Sequence, residues 1–408
     1  MIPLHEAKAH VEARCPRLPA RRLPLGQAGG LVLAEPVVAA HLVPPFDNTA
    51  MDGFAVRAAD TAGGSARLRV VGTLAAGGAF GGEVGRGEAV RIMTGAPMPA
   101  GADAVVMVER TEVDGDTVLV RSEARPGDHV RRAGDDVRPG DQVLPAGTPL
   151  GPAPIGVLAS LGVAHVTAVP RARVGVLSTG DELVEGAGDL APGQIRDSNR
   201  PALLAAVAAA GADAVDLGIA RDDEAAIEAA VDAAVRSCDA LLTSGGVSMG
   251  DFDYVKKVLD RVGDMRWMQI AIRPAKPFAF GVVTSDDGRL VPVFGLPGNP
   301  VSSLVSFEVL ARPALRRMMG HGPATGERPR VLAVAPDGIR RSPDGKLHLD
   351  RVVAEPAPGG GLAVRPVRAQ GSHQLAATAL ANGIAVVPDG NGVEPGGLVE
   401  TLLLWGTP

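Results

Sequence analysis

Aromatic residues are scarce in this chain, with 8 Phe, 2 Trp and 1 Tyr making up 3% of 408 residues. Proteins that bind nucleic acid need a basic footprint and usually add stacking rings. Here Lys+Arg 40 stand against Asp+Glu 46, giving a net charge of −6 with no long run of either sign. Both observations argue against a nucleic-acid partner. Cysteine is rarer still: Cys15 and Cys238 lie far apart and fit no metal-ligand or CxxC spacing, as expected of reduced thiols in a cytoplasmic protein. Long hydrophobic runs are also missing. The longest uncharged, mostly apolar stretch, 201–212, falls short of the roughly 20 residues that span a bilayer. The opening segment MIPLHEAKAHVEAR carries acids and no apolar core, so it does not read as a signal peptide. Lysine is limited to Lys8, Lys256, Lys257, Lys276 and Lys346, and the Arg and Ala excess carries no functional weight. The expectation is a soluble, cytoplasmic protein that does not enter membranes.

What is abundant is small and aliphatic. Gly 53 and Pro 34 make up about a fifth of the chain, and hydrophobic residues make up 46%. That is enough for several packed cores, and at roughly 150 residues per domain the length suggests about three domains. The pattern divides the chain into four zones: a helical and linker unit from residues 1–45 and 139–170, a β-rich insertion at 46–138, an α/β unit at 171–322, and a small C-terminal β-barrel at 323–408. In the insertion, ARLRVVGTL, EAVRIMTG, DAVVMVERTEV and DTVLVRSE are short apolar strands split by turn signals. The helix LHEAKAHVEAR is expected to pack with the piece containing PIGVLASLGV. From 171 onward strands alternate with helices, which predicts a three-layer α/β unit with a mostly parallel sheet. After Gly320, RVLAVA, KLHLDRVV, LAVRPVRA, GIAVVP and LVETLLLW form a second β series.

In an open parallel sheet, ligands bind beyond the carboxyl ends of the strands. Three such loops are rich in small polar residues. The first carries Ser178, Thr179, Gly180, Asp181 and Glu182. The second carries Ser244, Gly245, Gly246, Ser248, Asp251 and Asp253, and the third Pro297, Gly298 and Asn299. Glycine lets backbone N–H groups turn toward a ligand, hydroxyls add donors, and helix starts favour anions, so the set suits phosphate or another oxyanion. None of the three fits a Walker loop or GxGxxG. Asp181, Glu182, Asp222, Asp251 and Asp253 sit among these donors, and carboxylates beside a phosphate site call for a hard cation such as Mg²⁺. For Asp222 and Asp251, helix capping accounts equally well. The acids Asp251 and Asp253 also oppose reading GVSMG as a hydrolase nucleophile elbow, and His321, His348 and His373 fall beyond the α/β unit. Two further polar islands, PPFDNTAMDG and RIMTGAP, lie in the β-rich zone.

Together PPFDNTAMDGFAV, RIMTGAPMPAGADAVV, GQIRDSNRP, TSGGVSMGDFDY, RPAKPFAFG and FGLPGNPVSS resemble, in order, the molybdopterin molybdenumtransferase (MoeA) family, which includes the E domain of gephyrin. The resemblance implies insertion of molybdate into adenylylated molybdopterin with Mg²⁺, yielding molybdenum cofactor and AMP. It implies a homodimer with a composite cleft, and contacts with other molybdenum cofactor biosynthesis proteins. By motif position it places Asp52, Thr94 and Asp136 on the β-rich face of that cleft as catalytic residues, with Glu182. Asp222 and Asp253 would lie on the α/β face, Arg273 and Lys276 would supply positive charge, and Arg351 and Ser372 would come from the C-terminal domain. The metal ligands implied are Asp181, Glu182 and Asp251. Two positions depart from the family pattern. Gln269 and Arg273 stand where lysine is frequent, and Arg binds oxyanions as a fork rather than as a point charge. The alternatives are a gephyrin-like scaffold and a paralogue that handles another oxyanion such as tungstate.

Overall fold

A computed structural model of the chain describes residues 1–246 and 254–404. The α/β unit is built from β1 (Arg173–Thr179), α1 (Asn199–Ala209), β2 (Asp213–Ala220), α2 (Glu224–Ser237), β3 (Ala240–Ser244), α3 (Tyr254–Val262), β4 (Gly263–Gln269), β5 (Pro277–Thr284) and β6 (Leu290–Leu296). The sheet order is β2–β1–β3–β6–β5–β4. The first four strands are mutually parallel, and β5 runs antiparallel to both of its neighbours. Alternate residues serve opposite faces, as the two-residue period of a strand requires. Val174, Val176, Leu242 and Phe294 meet α1 on one face, while Leu177, Leu241 and Val293 meet α2 and α3 on the other. Both faces are covered, which explains the near-continuous apolar runs of these strands.

The long C-terminal helix of this unit is interrupted. Pro300–Ser306 and Arg312–Met318 are α-helical, but Phe307–Ala311 is a π turn. Pro313 has no N–H to donate to residue 309, and a locally widened turn accommodates that missing bond.

The helix Leu4–Ala13 does not pack with Pro152–Ser160 as the sequence suggested. It buries Ala7 and Val11 in the α/β core with Met268, Phe280 and Phe307. The cause is local: the Ile2 N–H donates to the Gln269 carbonyl, and the Ala271 N–H donates to that of Ile2, both at 2.8 Å. The chain start thus extends the sheet beside β4 and delivers the helix onto that face. Pro152–Ser160 belongs to a separate core with Leu33, Leu150, Leu158 and Val166. There Arg21–Pro24 and Val32–Leu33 both pair with His165–Val169, so segments on either side of the β-rich domain pair with each other.

The β-rich domain is a six-stranded mixed sheet in which Gly53–Val56 lies between Ala104–Met107 and Glu88–Ile92. The C-terminal domain closes as a five-stranded barrel, because Leu347–Pro356 pairs with both Leu362–Pro366 and Gly383–Val387. Closure removes the free edges that short strands would otherwise expose. Ile272–Arg273 adds to this barrel in parallel with Leu347 and His348, joining it to the α/β unit.

Candidate active site

The carboxyl ends of β1, β3 and β6 come together, and one short segment holds them there. Asn199, at the start of α1, donates from Nδ2 to Ser244 Oγ and to the Gly298 carbonyl, each at 2.7 Å. It therefore clamps the second strand-end loop to the third. Two residues earlier, Asp197 accepts from Ser178 Oγ at 3.1 Å and secures the first loop. Asp197 is in turn fixed by the Arg200 backbone N–H and Nε, at 3.1 and 3.0 Å. The buried Arg200 guanidinium also pairs with Glu185 and Asp216. Sequence reasoning missed Asp197, Asn199 and Arg200 as site residues, although their string RDSNRP was visible. The available signal was three polar side chains crowded at the start of an otherwise apolar helix.

The glycines of these loops answer to close backbone approach. Gly245 has φ +96°, and a Cβ there would lie 2.9 Å from the Thr179 carbonyl oxygen. Gly246, at φ +67°, would drive a Cβ into the side chain of Val255. Ser178, Thr179 and Ser244 are buried, so their hydroxyls are part of the loop framework. Ser248, Asp251 and Asp253 lie outside the described residues.

Three acids gather beside this framework. Asp181 and Glu182 follow Gly180, and the Asp222 N–H donates to Asp181 Oδ1 at 3.2 Å. Burial pushes the Asp222 carboxyl up from the usual range, and the charges of Asp181 and Glu182 push the same way, against a backbone N–H of Asp181. Capping does not account for Asp222: the N-cap of α2 is Asp223, whose Oδ1 accepts from the Ala226 N–H at 2.9 Å. Among the described residues no group of three or more His, Cys, Asp or Glu is arranged to hold a metal by itself. Crowded carboxylates with excess negative charge nevertheless suit a hard cation that takes its remaining ligands from substrate oxygens and water.

The β-rich domain contributes a second polar point. Asp52 Oδ1 accepts from both the backbone N–H and Oγ1 of Thr94, each at 2.7 Å. These bonds hold the Asp52 carboxyl below its usual range, with a smaller contribution from Arg91. Asp136 is exposed on a strap that pairs with 43–49, where its backbone N–H donates to the Val43 carbonyl at 3.0 Å. Asp47 anchors that strap through Arg132 Nη1 and the Ala133 N–H, at 2.7 and 2.8 Å. Among the described residues no hydrogen bond or ion pair joins the Asp52–Thr94 pair to the Asp181–Glu182–Asp222 group.

Arg273 and Lys276 are exposed on either side of a turn that contains a cis Arg273–Pro274 bond and Ala275 at φ +77°. Gln269 is also exposed, and its carbonyl receives the Ile2 N–H. The third loop meets the barrel through Ser372, whose carbonyl accepts from the Val301 N–H at 3.0 Å. Arg351 is placed differently from a ligand-binding cation. It is buried at 1% exposure and donates to the carbonyls of Ala369, Gln370 and Gly371 at 3.0–3.3 Å. In this state it holds the turn that leads to Ser372.

Known proteins agree with this architecture. Residues 2–162 match the MoeA N-terminal region (domain I and II), residues 175–317 a "probable molybdopterin binding domain", and residues 334–404 the MoeA C-terminal region (domain IV). The chain is 42% identical to molybdopterin molybdenumtransferase 2 of Mycobacterium tuberculosis, over 90% of each chain. It is 38% identical to the molybdopterin molybdenumtransferase of Haemophilus influenzae, over 93% of this chain and 92% of that one. A crystal structure of the molybdopterin biosynthesis MoeA protein from Pyrococcus horikoshii superposes with a TM-score of 0.81 at 28% identity, covering 99% of this chain and 100% of the other. The chain belongs to the molybdopterin molybdenumtransferase family.

Proposed function

We propose that this transferase inserts molybdate into adenylylated molybdopterin, forming molybdenum cofactor and releasing AMP, and that it does so in the cytoplasm with Mg²⁺. One observation carries the reading: Asp197 and Asn199 fasten three strand-end loops into one frame, with Asp181, Glu182 and Asp222 at its rim. The frame fixes glycine-rich strand ends, where the backbone can approach a phosphoanhydride closely, while its buried hydroxyls hold the loops in place. Mg²⁺, when bound, would polarise that anhydride and offset its charge. Asp181 and Glu182 would hold the ion, while Arg273 and Lys276 would attract and orient the molybdate oxyanion. Asp52, kept ionised by Thr94, would orient groups approaching from the opposite wall.

The Asp52–Thr94 pair sits on the β-rich domain and the acidic group on the α/β unit, an arrangement that suits a cleft shared between two subunits. Purified protein mixed with adenylylated molybdopterin, molybdate and Mg²⁺ should release AMP and form cofactor, and absence of both molybdate-dependent products would defeat the proposal. Heterodimers of Asp52→Ala and Glu182→Ala subunits should regain activity at one of their two clefts. If they stay as inactive as either parent, the shared cleft is wrong.

A further inference from the structure

A second cleft lies at the opposite edge of the α/β sheet, among the amino ends of its parallel strands. It has a volume of about 770 Å³ and is walled by the connection after the first helix and by the starts of β1, β2 and β6. Arg17, Arg21, Arg171, Arg173 and Arg236 line it. All five are exposed, and no hydrogen bond or ion pair engages their guanidinium groups among the described residues. Arg289 also lines the cleft but is occupied, donating to Asp287 and to the carbonyls at the end of α2. Only Asp213 and Asp239 oppose this charge, and an oxygen of Asp239 already accepts the Arg173 backbone N–H at 2.8 Å. A concentrated positive cleft on a chain of net charge −6 is a local field, not a reflection of composition.

We infer that this cleft docks an acidic segment of a partner protein. Its form distinguishes that ligand from a compact phosphate. Among the described residues, the helix end that lines it is the C-terminus of α2, whose carbonyls Arg289 covers. Beside the arginines, Leu18, Leu31 and Leu290 line the cleft with Pro16, Pro19 and Pro170. A lining that combines several unpaired guanidinium groups with apolar side chains matches a peptide that carries both carboxylates and aliphatic residues. The groove shares no lining residue with the strand-end loops, so occupancy there leaves the catalytic frame free.

The test is fluorescence anisotropy of the full chain with a labelled peptide of alternating glutamate and leucine. Binding should weaken as salt is raised, and the double variant Arg171→Glu/Arg236→Glu should lose about tenfold or more in affinity. That variant should keep the parent's circular dichroism and turnover. The control Arg86→Glu/Arg340→Glu, with the same charge change at exposed sites elsewhere, should bind as the parent does. Equal loss in both variants would show non-specific attraction and overturn the assignment. So would absence of peptide binding. Displacement of the peptide by inorganic tripolyphosphate at far lower concentration than by unlabelled peptide would identify a small-polyanion site instead, and would also refute it.

Discussion

Replacing Asn199 with alanine removes a side chain that ties the β3 loop to the β6 loop. Two hydrogen bonds of 2.7 Å are lost, to Ser244 Oγ and to the Gly298 carbonyl. The amide orientation is set by chemistry, since only an N–H can face a carbonyl oxygen at that distance. Each such bond contributes about 0.5–1.5 kcal/mol net, so the expected cost is roughly 2 kcal/mol. For a unit of this size that is a drop of about 4–8 °C in melting temperature. The catalytic cost should be greater than the stability cost suggests, because a displacement of about 1 Å in a positioning loop costs on the order of a hundredfold in rate. Asn199→Asp sharpens the test. It keeps the shape but places an acceptor against the Gly298 carbonyl, so at neutral pH it should be no better than alanine. Thermal unfolding and steady-state AMP release read the two effects. If Asn199→Ala melts and turns over as the parent does, the three loops are held by something else and the frame argument fails.

The buried Glu308 receives two bonds from Arg328, at 2.8 and 2.9 Å, and lies close to Arg312. Glu308→Ala removes the buried carboxylate set against Arg328 and Arg312 and should cost about 3–5 kcal/mol in denaturant unfolding. Burial and the charges of Arg316 and Arg312 lower the His321 pKa to about 4. Its contribution to stability is present above the ordinary histidine range and is lost as pH falls through that lowered value. His321→Asn should therefore flatten the acid side of the stability profile, by roughly 1–2 kcal/mol once solvent screening is allowed for. Asp222 has the opposite sign: its raised carboxyl favours the fold in acid and loses that advantage as pH rises through its raised value. Asp222→Asn should be more stable than the parent at neutral pH and indistinguishable from it in acid, as melting curves across the range would show. Arg351→Ala should free the 369–371 turn and raise hydrogen exchange there and at the Val301 amide.

The sequence was most informative where one element can be read on its own. The α/β rhythm follows from apolar runs of strand length set between helices, and the five C-terminal strands follow from short alternating segments bounded by Gly and Pro. It was less informative where an outcome depends on a partner distant in the chain. The first helix carries the same apolar stripe whether it packs on the linker or on β4, and the choice is made by backbone bonds between Ile2 and the 269–271 segment. Nothing in residues 1–14 encodes that contact. The helix after β6 reads as continuous from its apolar pattern, and the structure shows a widened turn ahead of Pro313.

The site shows the same limit at the scale of single side chains. The strand-end glycines and the acids Asp181 and Glu182 are recognisable because their chemistry is unusual for their positions. Asp197, Asn199 and Arg200 are ordinary residues for a helix start, and their part in the frame exists only because three loops from distant stretches of sequence converge on them. Arg351 illustrates the converse: a cation that motif position assigns to a ligand is in fact occupied by backbone carbonyls. A polar residue in a motif can serve positioning as readily as contact. Bonding partners, not residue type, mark Asp197, Asn199, Arg200 and Arg351 as groups that hold neighbouring loops in place.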